Sequence, residues 1–179
     1  ELVRHDVTLP YTAEVDEMMM RFTEKYPQSR YNNSVLYLLG SYYCDEGDFE
    51  RAEKIYELVE YKHLDAHQKE RYDIRMGYIY FVDGRYAEAE PYFSRIAANS
   101  EYYQHPLFFL SYIAYINKEY DVAEQGFKKL QSYDDYADLV PFYLLQIEYR
   151  KGNYDYVISN GESLLEPASD EERPSDDAR

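Results

Sequence analysis

Four short stretches, GDFERAEKIY, GRYAEAEPYF, KEYDVAEQGF and GNYDYVISNG, restate one another along the chain, beginning at Gly47, Gly84, Lys118 and Gly152. Their spacings are 37, 34 and 34 residues. A fixed period near 34 marks an array in which each unit is one supersecondary element that buries its apolar face only by stacking on a neighbour. No other feature of the chain narrows the fold as far.

The residues inside one period say what the element is. In NSVLYLLGSYYCDEGDFERAEKIYELV, Asn33 to Val59, the residues Leu36, Leu39, Gly40 and Tyr43 fall on one helical face. Asp45-Glu46-Gly47-Asp48 interrupts it, with Gly47 suited to a left-handed C-cap and Asp48 to the N-cap of a second helix. Ala52, Tyr56 and Val59 then restore the apolar stripe, and small Ala52 lets the two helices approach. The same positions recur as Asp73, Met76, Gly77, Tyr80, Gly84, Ala89, Phe93 and Ile96, and again as Leu107, Leu110, Ser111, Ala114, Lys118, Ala123, Phe127 and Leu130. In the fourth unit Leu144, Leu145, Glu148, Gly152, Val157, Gly161 and Leu164 keep the spacing but lose both small residues. Ala13 to Tyr26 reads as a lone second helix, N-capped by Thr12 and stopped by Pro27. The expectation is an all-α chain of helix hairpins with turns near Gly47, Gly84, Lys118 and Gly152 and no strand. Three departures stand out: Asp73 at an apolar position, Leu145 with Val157 at small ones, and Pro91 inside a second helix, where it should distort the early turns.

This pattern resembles the tetratricopeptide repeat (TPR), whose helix pairs carry large residues at the fourth, seventh and eleventh positions, small ones at the eighth and twentieth, and an aromatic at the twenty-fourth. The resemblance implies a right-handed TPR superhelix of antiparallel helix pairs, an α-solenoid. It covers a TPR domain at 11–165, with the lone helix at 13–26 and repeats near 33–66, 70–103, 104–137 and 138–165. Three extra residues before the second repeat fit in the turn KHLDAHQK. The stretch 166–179 is then an acidic tail, expected to be mobile because it has no large apolar residue. Within FTEKYPQSRYNNSVLYLLGSYYCDEGDFERA, the run Tyr-Pro-x-Ser-x-Tyr followed by Leu-Gly-x-Tyr-Tyr is similar to TPR proteins of the bacterial envelope, including the Tol–Pal-associated periplasmic protein and large multi-repeat proteins of Bacteroidetes. That likeness implies a periplasmic or cell-envelope location and a longer parent chain, of which this would be the N-terminal part. The chain opens at Glu1 with no basic start and no apolar signal segment, which leaves open a removed targeting peptide or a cut from something longer.

Charge and motif content remove several functions. A formal net charge of −16 repels nucleic-acid phosphates and anionic headgroups. The longest apolar run, Pro106 to Ile116, is too short to span a bilayer. Neither nucleic-acid binding nor membrane insertion is expected. The single Cys44 reads as a small buried hydrophobe. His63 and His67 have the four-residue spacing of a metal pair, but they fall in an inter-repeat turn with no third ligand marked, so a solvated turn is expected and no metal. Glu50, Glu53, Glu57 and Glu60 have the spacing of an exposed helix face rather than of two carboxylates held in different environments. With no phosphate loop and no nucleophile elbow, no catalytic residue and no cofactor is assigned, and the chain is not expected to be an enzyme.

The aromatic content points elsewhere: 24 tyrosines and no tryptophan. In TPR proteins the groove is lined by the first helix of each unit at positions 2, 5, 9, 12 and 13. Carried onto this chain, the resemblance implies a partner-binding surface of Tyr37, Arg71, Ile74, Tyr78, Phe81, His105, Phe108, Tyr112, Tyr115, Phe142, Gln146, Tyr149 and Arg150. The cytosolic TPR domains that grip a peptide carboxylate use Lys and Asn where Tyr37, Ser41, Ile74 and Tyr78 stand here, so that activity is not implied. The rings could instead pack on one another between successive first helices. The expected function is a non-catalytic protein-protein interaction scaffold taking an apolar or aromatic, non-acidic polypeptide segment. The alternatives are a carbohydrate-binding aromatic groove and a structural spacer stacking on further repeats of the same chain.

Overall fold

The computed structural model describes residues 12–161, and every regular element among them is helical. The chain divides into two compact units, one up to Ile96 and one from Ala97. The first holds α1 (Thr12–Lys25), α2 (Asn32–Asp45), α3 (Phe49–Tyr56), α4 (Ala66–Val82) and α5 (Tyr86–Phe93). The second holds α6 (Gln104–Ile116), α7 (Tyr120–Leu130), α8 (Val140–Lys151) and α9 (Tyr154–Gly161). Helices pair in chain order as the hairpins α2–α3, α4–α5, α6–α7 and α8–α9, and α1 packs on α2. The expected acidic tail and Leu164 lie outside the described residues, as does the side chain of Thr12.

The four expected turns share one device. Gly47, Gly84, Lys118 and Gly152 all have positive φ, between 65° and 83°. At the first, the Gly47 N–H donates to the Cys44 carbonyl and the Asp48 N–H to that of Tyr43, the paired bonds of a Schellman motif. The same pair recurs at Gly84 with Arg85, at Lys118 with Glu119, and at Gly152 with Asn153. Three turns use glycine because it alone enters the left-handed region without a Cβ penalty, whereas Lys118 bears that strain. The Asp48 carboxylate then caps α3 by accepting from the Arg51 N–H at 3.1 Å. The residues inserted before the second repeat form a 3-10 turn, Tyr61–His63, and an Asp65–Gln68 capping box that starts α4.

The small-to-large register sets how closely each hairpin closes. A Cβ added at Gly40 would lie 2.7 Å from the Tyr56 ring, and one at Gly77 would lie 2.7 Å from Phe93. Ala52 and Ala89 sit beside these contacts with no exposure at all. In the third hairpin the glycine position holds Ser111, whose hydroxyl turns back to the Leu107 carbonyl at 2.6 Å. Gly126 leaves the room, since a Cβ there would overlap that hydroxyl. In the fourth the exchange is complete: Leu145 stands where the glycine was, Gly161 where the aromatic was, and among the described residues a Cβ at Gly161 would meet Leu145 Cδ2 at 3.8 Å.

The remaining departures have physical accounts. Asp73, 2% exposed, accepts from the Tyr61 hydroxyl at 2.6 Å and from Arg95 at 2.8 Å. Its burial is tolerated because both oxygens have donors. The Tyr61 phenol is pushed up to about 12 by burial and by the Asp73 carboxylate it donates to. Pro91 does not cut the helix short: α5 spans eight residues, as does α3, which contains no proline.

Candidate interaction surface

In the first unit the residues assigned to the groove split into buried and open sets. Tyr37 is 6% exposed and belongs to the core, tilted against Tyr56 at 6.3 Å, so it contributes nothing to an open face. Arg71, Ile74 and Phe81 on α4 are half-buried. Phe81 packs on Tyr86 at 5.4 Å and on Phe93 at 6.5 Å. Tyr78 is 39% exposed, its ring edge-on to Phe49 at 5.6 Å, and Val82 one turn later is also exposed. A face one helical turn deep, Tyr78 with Val82 over Phe81, is what α4 offers.

A residue outside the expected set shapes the neighbouring cleft. Arg75 reaches from α4 to the Asp45 carboxylate at 3.0 Å and to the Tyr56 hydroxyl at 3.3 Å, which Ser41 also meets at 3.0 Å. Cys44 lies beside this group, and burial pushes its thiol up to about 11. It stays protonated at neutral pH and is no nucleophile.

In the second unit the rings form one aromatic cluster. Phe108 stacks on Tyr136 at 5.3 Å, and the Tyr136 hydroxyl meets His105 Nδ1 at 2.7 Å. Burial lowers the His105 pKa, so its imidazole is neutral at pH 7. Tyr112 and Tyr115 converge with Phe108 on Tyr143 of α8, at 6.0, 6.3 and 5.8 Å. Tyr143 itself stacks on Phe127 at 4.7 Å and 3°. The Tyr115 hydroxyl donates to Gln146 at 2.8 Å. Tyr143 is the hub, and the groove pattern passed over it because it sits one residue beyond a groove position; its only sequence signal is that it shares the register of Arg75. Outside this packed layer, Phe142 at 52%, Tyr149 at 55% and the exposed Ile116 and Arg150 remain open.

These surfaces offer broad apolar contact with hydroxyls at the rim. Each of the packed phenols Tyr37, Tyr56, Tyr72, Tyr136 and Tyr143 is shifted upward, chiefly by burial, and so carries no charge at neutral pH. Among the described residues there is no group of three or more His, Cys, Asp or Glu able to hold a metal ion; His63 lies in its turn, 3.3 Å from Glu60, and His67 is exposed. No helix among them is long and apolar enough to cross a membrane.

No protein-family model and no curated protein matches the chain. Solved structures do. The chain is similar to "Crystal structure of MamA" at 17% identity, covering 86% of this chain and 88% of that one, with a TM-score of 0.64. It is similar to "Crystal structure of MamA protein" at 16% identity over 86% and 82% of the two chains, and to "MamA RS-1 ArsTM double mutant" at 14% over 86% and 84%, each with a TM-score of 0.64. At such identities the likeness is one of fold: an all-α chain of TPR-type helix hairpins.

Proposed function

We propose that the chain is a non-catalytic protein-interaction scaffold, set in a bacterial cell envelope, whose first-helix surfaces hold apolar or aromatic, non-acidic polypeptide segments. The carrying observation is that exposed large apolar residues stand at the expected groove positions of α4, α6 and α8. They are Tyr78 and Val82 on α4, Ile116 on α6, and Phe142 and Tyr149 on α8. Scattered exposed apolar residues mean little, but Tyr78 with Val82 in the first unit, and Ile116, Phe142 and Tyr149 in the second, all lie on the first-helix stripe on which a recognition face would stand. Tyr and Phe supply contact area at small entropic cost, and a net charge of −16 penalises acidic partners.

The test is fluorescence anisotropy with labelled extended peptides of about 12 residues. Neutral or basic aromatic sequences should bind, and their acidic counterparts should not. Tyr78→Ala and Phe142→Ala should each weaken binding at least about fivefold, and Phe142→Ala, whose ring is 52% exposed, should leave the melting temperature nearly unchanged. Indifference of the parent chain to every peptide, or of binding to both substitutions, would overturn the reading. The envelope setting is checked separately, by whether the protein in its own host fractionates away from the cytoplasm.

A further inference from the structure

Asparagine occurs six times in the chain, and Asn160 alone is followed by glycine. The others precede Asn33, Ser34, Ser100, Lys118 and Tyr154. The difference is chemical. The backbone nitrogen that follows an asparagine can attack its side-chain carboxamide, and every residue except glycine hinders that approach with a Cβ. Asn160 is also exposed, so water and base reach it.

The fold sets how often such an attack can happen. Asn160 and Gly161 lie in α9, where the Asn160 carboxamide donates to the Tyr156 carbonyl at 2.8 Å. A helical ψ holds the following nitrogen out of line with Cγ, so this turn must open first. Little holds it shut: α9 has no buried residue, and Ile158 is 74% exposed. The other asparagines are held more firmly. Asn32 and Asn33 are half-buried in α2, and the Asn33 carboxamide is bonded to the Glu60 backbone through both its oxygen and its nitrogen. After Asn99, Asn117 and Asn153 the next nitrogen already donates, from Ser100 to the Ala97 carbonyl, from Lys118 to that of Tyr115 and from Tyr154 to that of Gly152.

We propose that Asn160–Gly161 is a site of spontaneous backbone modification, gated by the opening of α9 and consuming only water. The Gly161 nitrogen gives up its proton to solvent base and bonds to Asn160 Cγ. The Cγ–Nδ2 bond breaks, ammonia leaves, and a five-membered cyclic imide closes. Water then opens the ring at either carbonyl. Breaking the bond from Cγ to the Gly161 nitrogen leaves aspartate, and breaking the bond from the main-chain carbonyl leaves isoaspartate. One water enters and one ammonia departs, with no change of oxidation state. Both products add a negative charge. Isoaspartate also routes the main chain through an extra methylene, which breaks the spacing that i to i−4 hydrogen bonds need. The opened turn of α9 then cannot close again as helix, and Gly161 moves off Leu145, the side chain it faces.

The test ages the full chain in mildly alkaline buffer, folded and in concentrated urea, and follows every asparagine by peptide mapping and mass spectrometry. In the folded chain Asn160 should convert ahead of the other asparagines and yield both products. In urea it should convert at least about fivefold faster, a ratio that measures how rarely the folded turn is open. Gly161→Ala should slow conversion at least about tenfold in urea, where no helix contributes. Ile158→Pro, a helix-breaking change at an exposed position, should bring the folded rate up to the urea rate. Ser159→Gly, a milder change that also removes the bond from the Ser159 hydroxyl to the Asp155 carbonyl, should raise the folded rate at least about twofold without changing the urea rate. Earlier conversion of any other asparagine, a folded Asn160 that stays intact while the urea sample converts, or equal folded and urea rates would overturn the proposal. So would an unaffected Gly161→Ala, or a Ser159→Gly no faster than the parent. No partner enters any of these measurements, so the outcome is independent of the first-helix surfaces.

Discussion

The hairpins α2–α3 and α8–α9 occupy the same register and close in opposite ways. In the first, a glycine on the leading helix lets a fully buried tyrosine of the trailing helix lie flat against the backbone, with Gly40 opposite Tyr56. In the last, a leucine on the leading helix faces a glycine, and the trailing helix buries nothing. The volume at the crossing is conserved in kind, but the large side chain has moved from the trailing to the leading helix. Conserved volume keeps a hairpin closed. Only the aromatic on the trailing helix also anchors the next helix, as Tyr56 does by meeting Arg75 and, through its carbonyl, the Tyr72 hydroxyl at 3.2 Å.

Tyr56→Ala should break the contrast most strongly. Removing a fully buried ring that also holds Arg75 and Ser41 should cost about 3–5 kcal/mol. Val157→Ala in the last hairpin, where the side chain is only half-buried, should cost less than about 1 kcal/mol. Urea unfolding of the two variants compares them directly, and similar losses would show that the last hairpin is packed as tightly as the first. Hydrogen exchange on the parent gives the same comparison without mutation, with α2 and α3 protected and α9 exchanging early.

Gly40→Ala should have a smaller effect, about 1–3 kcal/mol, because the added methyl would sit 2.7 Å from a ring with nowhere to move. No loss of stability would mean that the α2–α3 crossing relaxes more freely than a fully buried Tyr56 suggests.

The smallest effect sharpens the comparison of turns rather than of crossings. Lys118 stands at φ 65°, in the place that the other three hairpins give to glycine. Lys118→Gly should stabilise the second unit by up to about 1 kcal/mol, and Gly47→Ala, which meets no steric neighbour, should destabilise the first by a similar amount. Thermal melts in which both changes are neutral would show that the left-handed turn is not under strain.

The first-helix surface was only partly legible. The register named Tyr78, Phe142 and Tyr149, which are open, together with Tyr37, which is core. It also named Phe108, Tyr112 and Tyr115, whose rings are tied into a packed cluster around Tyr143. Mutual packing therefore describes the inner rings of the second unit, while Tyr78, Phe142 and Tyr149 are exposed to water. A register position gives the direction a side chain leaves its helix, and what waits there belongs to another part of the chain.

The amino-acid sequence by itself determined the helices, their pairing and the four turns. Those depend on interactions within about five residues, a 3.6-residue stripe and a left-handed cap, and both repeat visibly along the chain. What only the tertiary structure decided are matters of distant partners. Asp73 is acceptable in the core because Tyr61 and Arg95, 12 and 22 residues away, donate to it. Leu145 is acceptable at a small position because Gly161 faces it across the hairpin. α9 buries no residue, and the register that holds the fully buried Phe127 one repeat earlier holds Gly161 there. Periodicity reports which face a residue occupies, while burial and pairing depend on the face it meets, and in a repeat protein that face lies a hairpin or a period away.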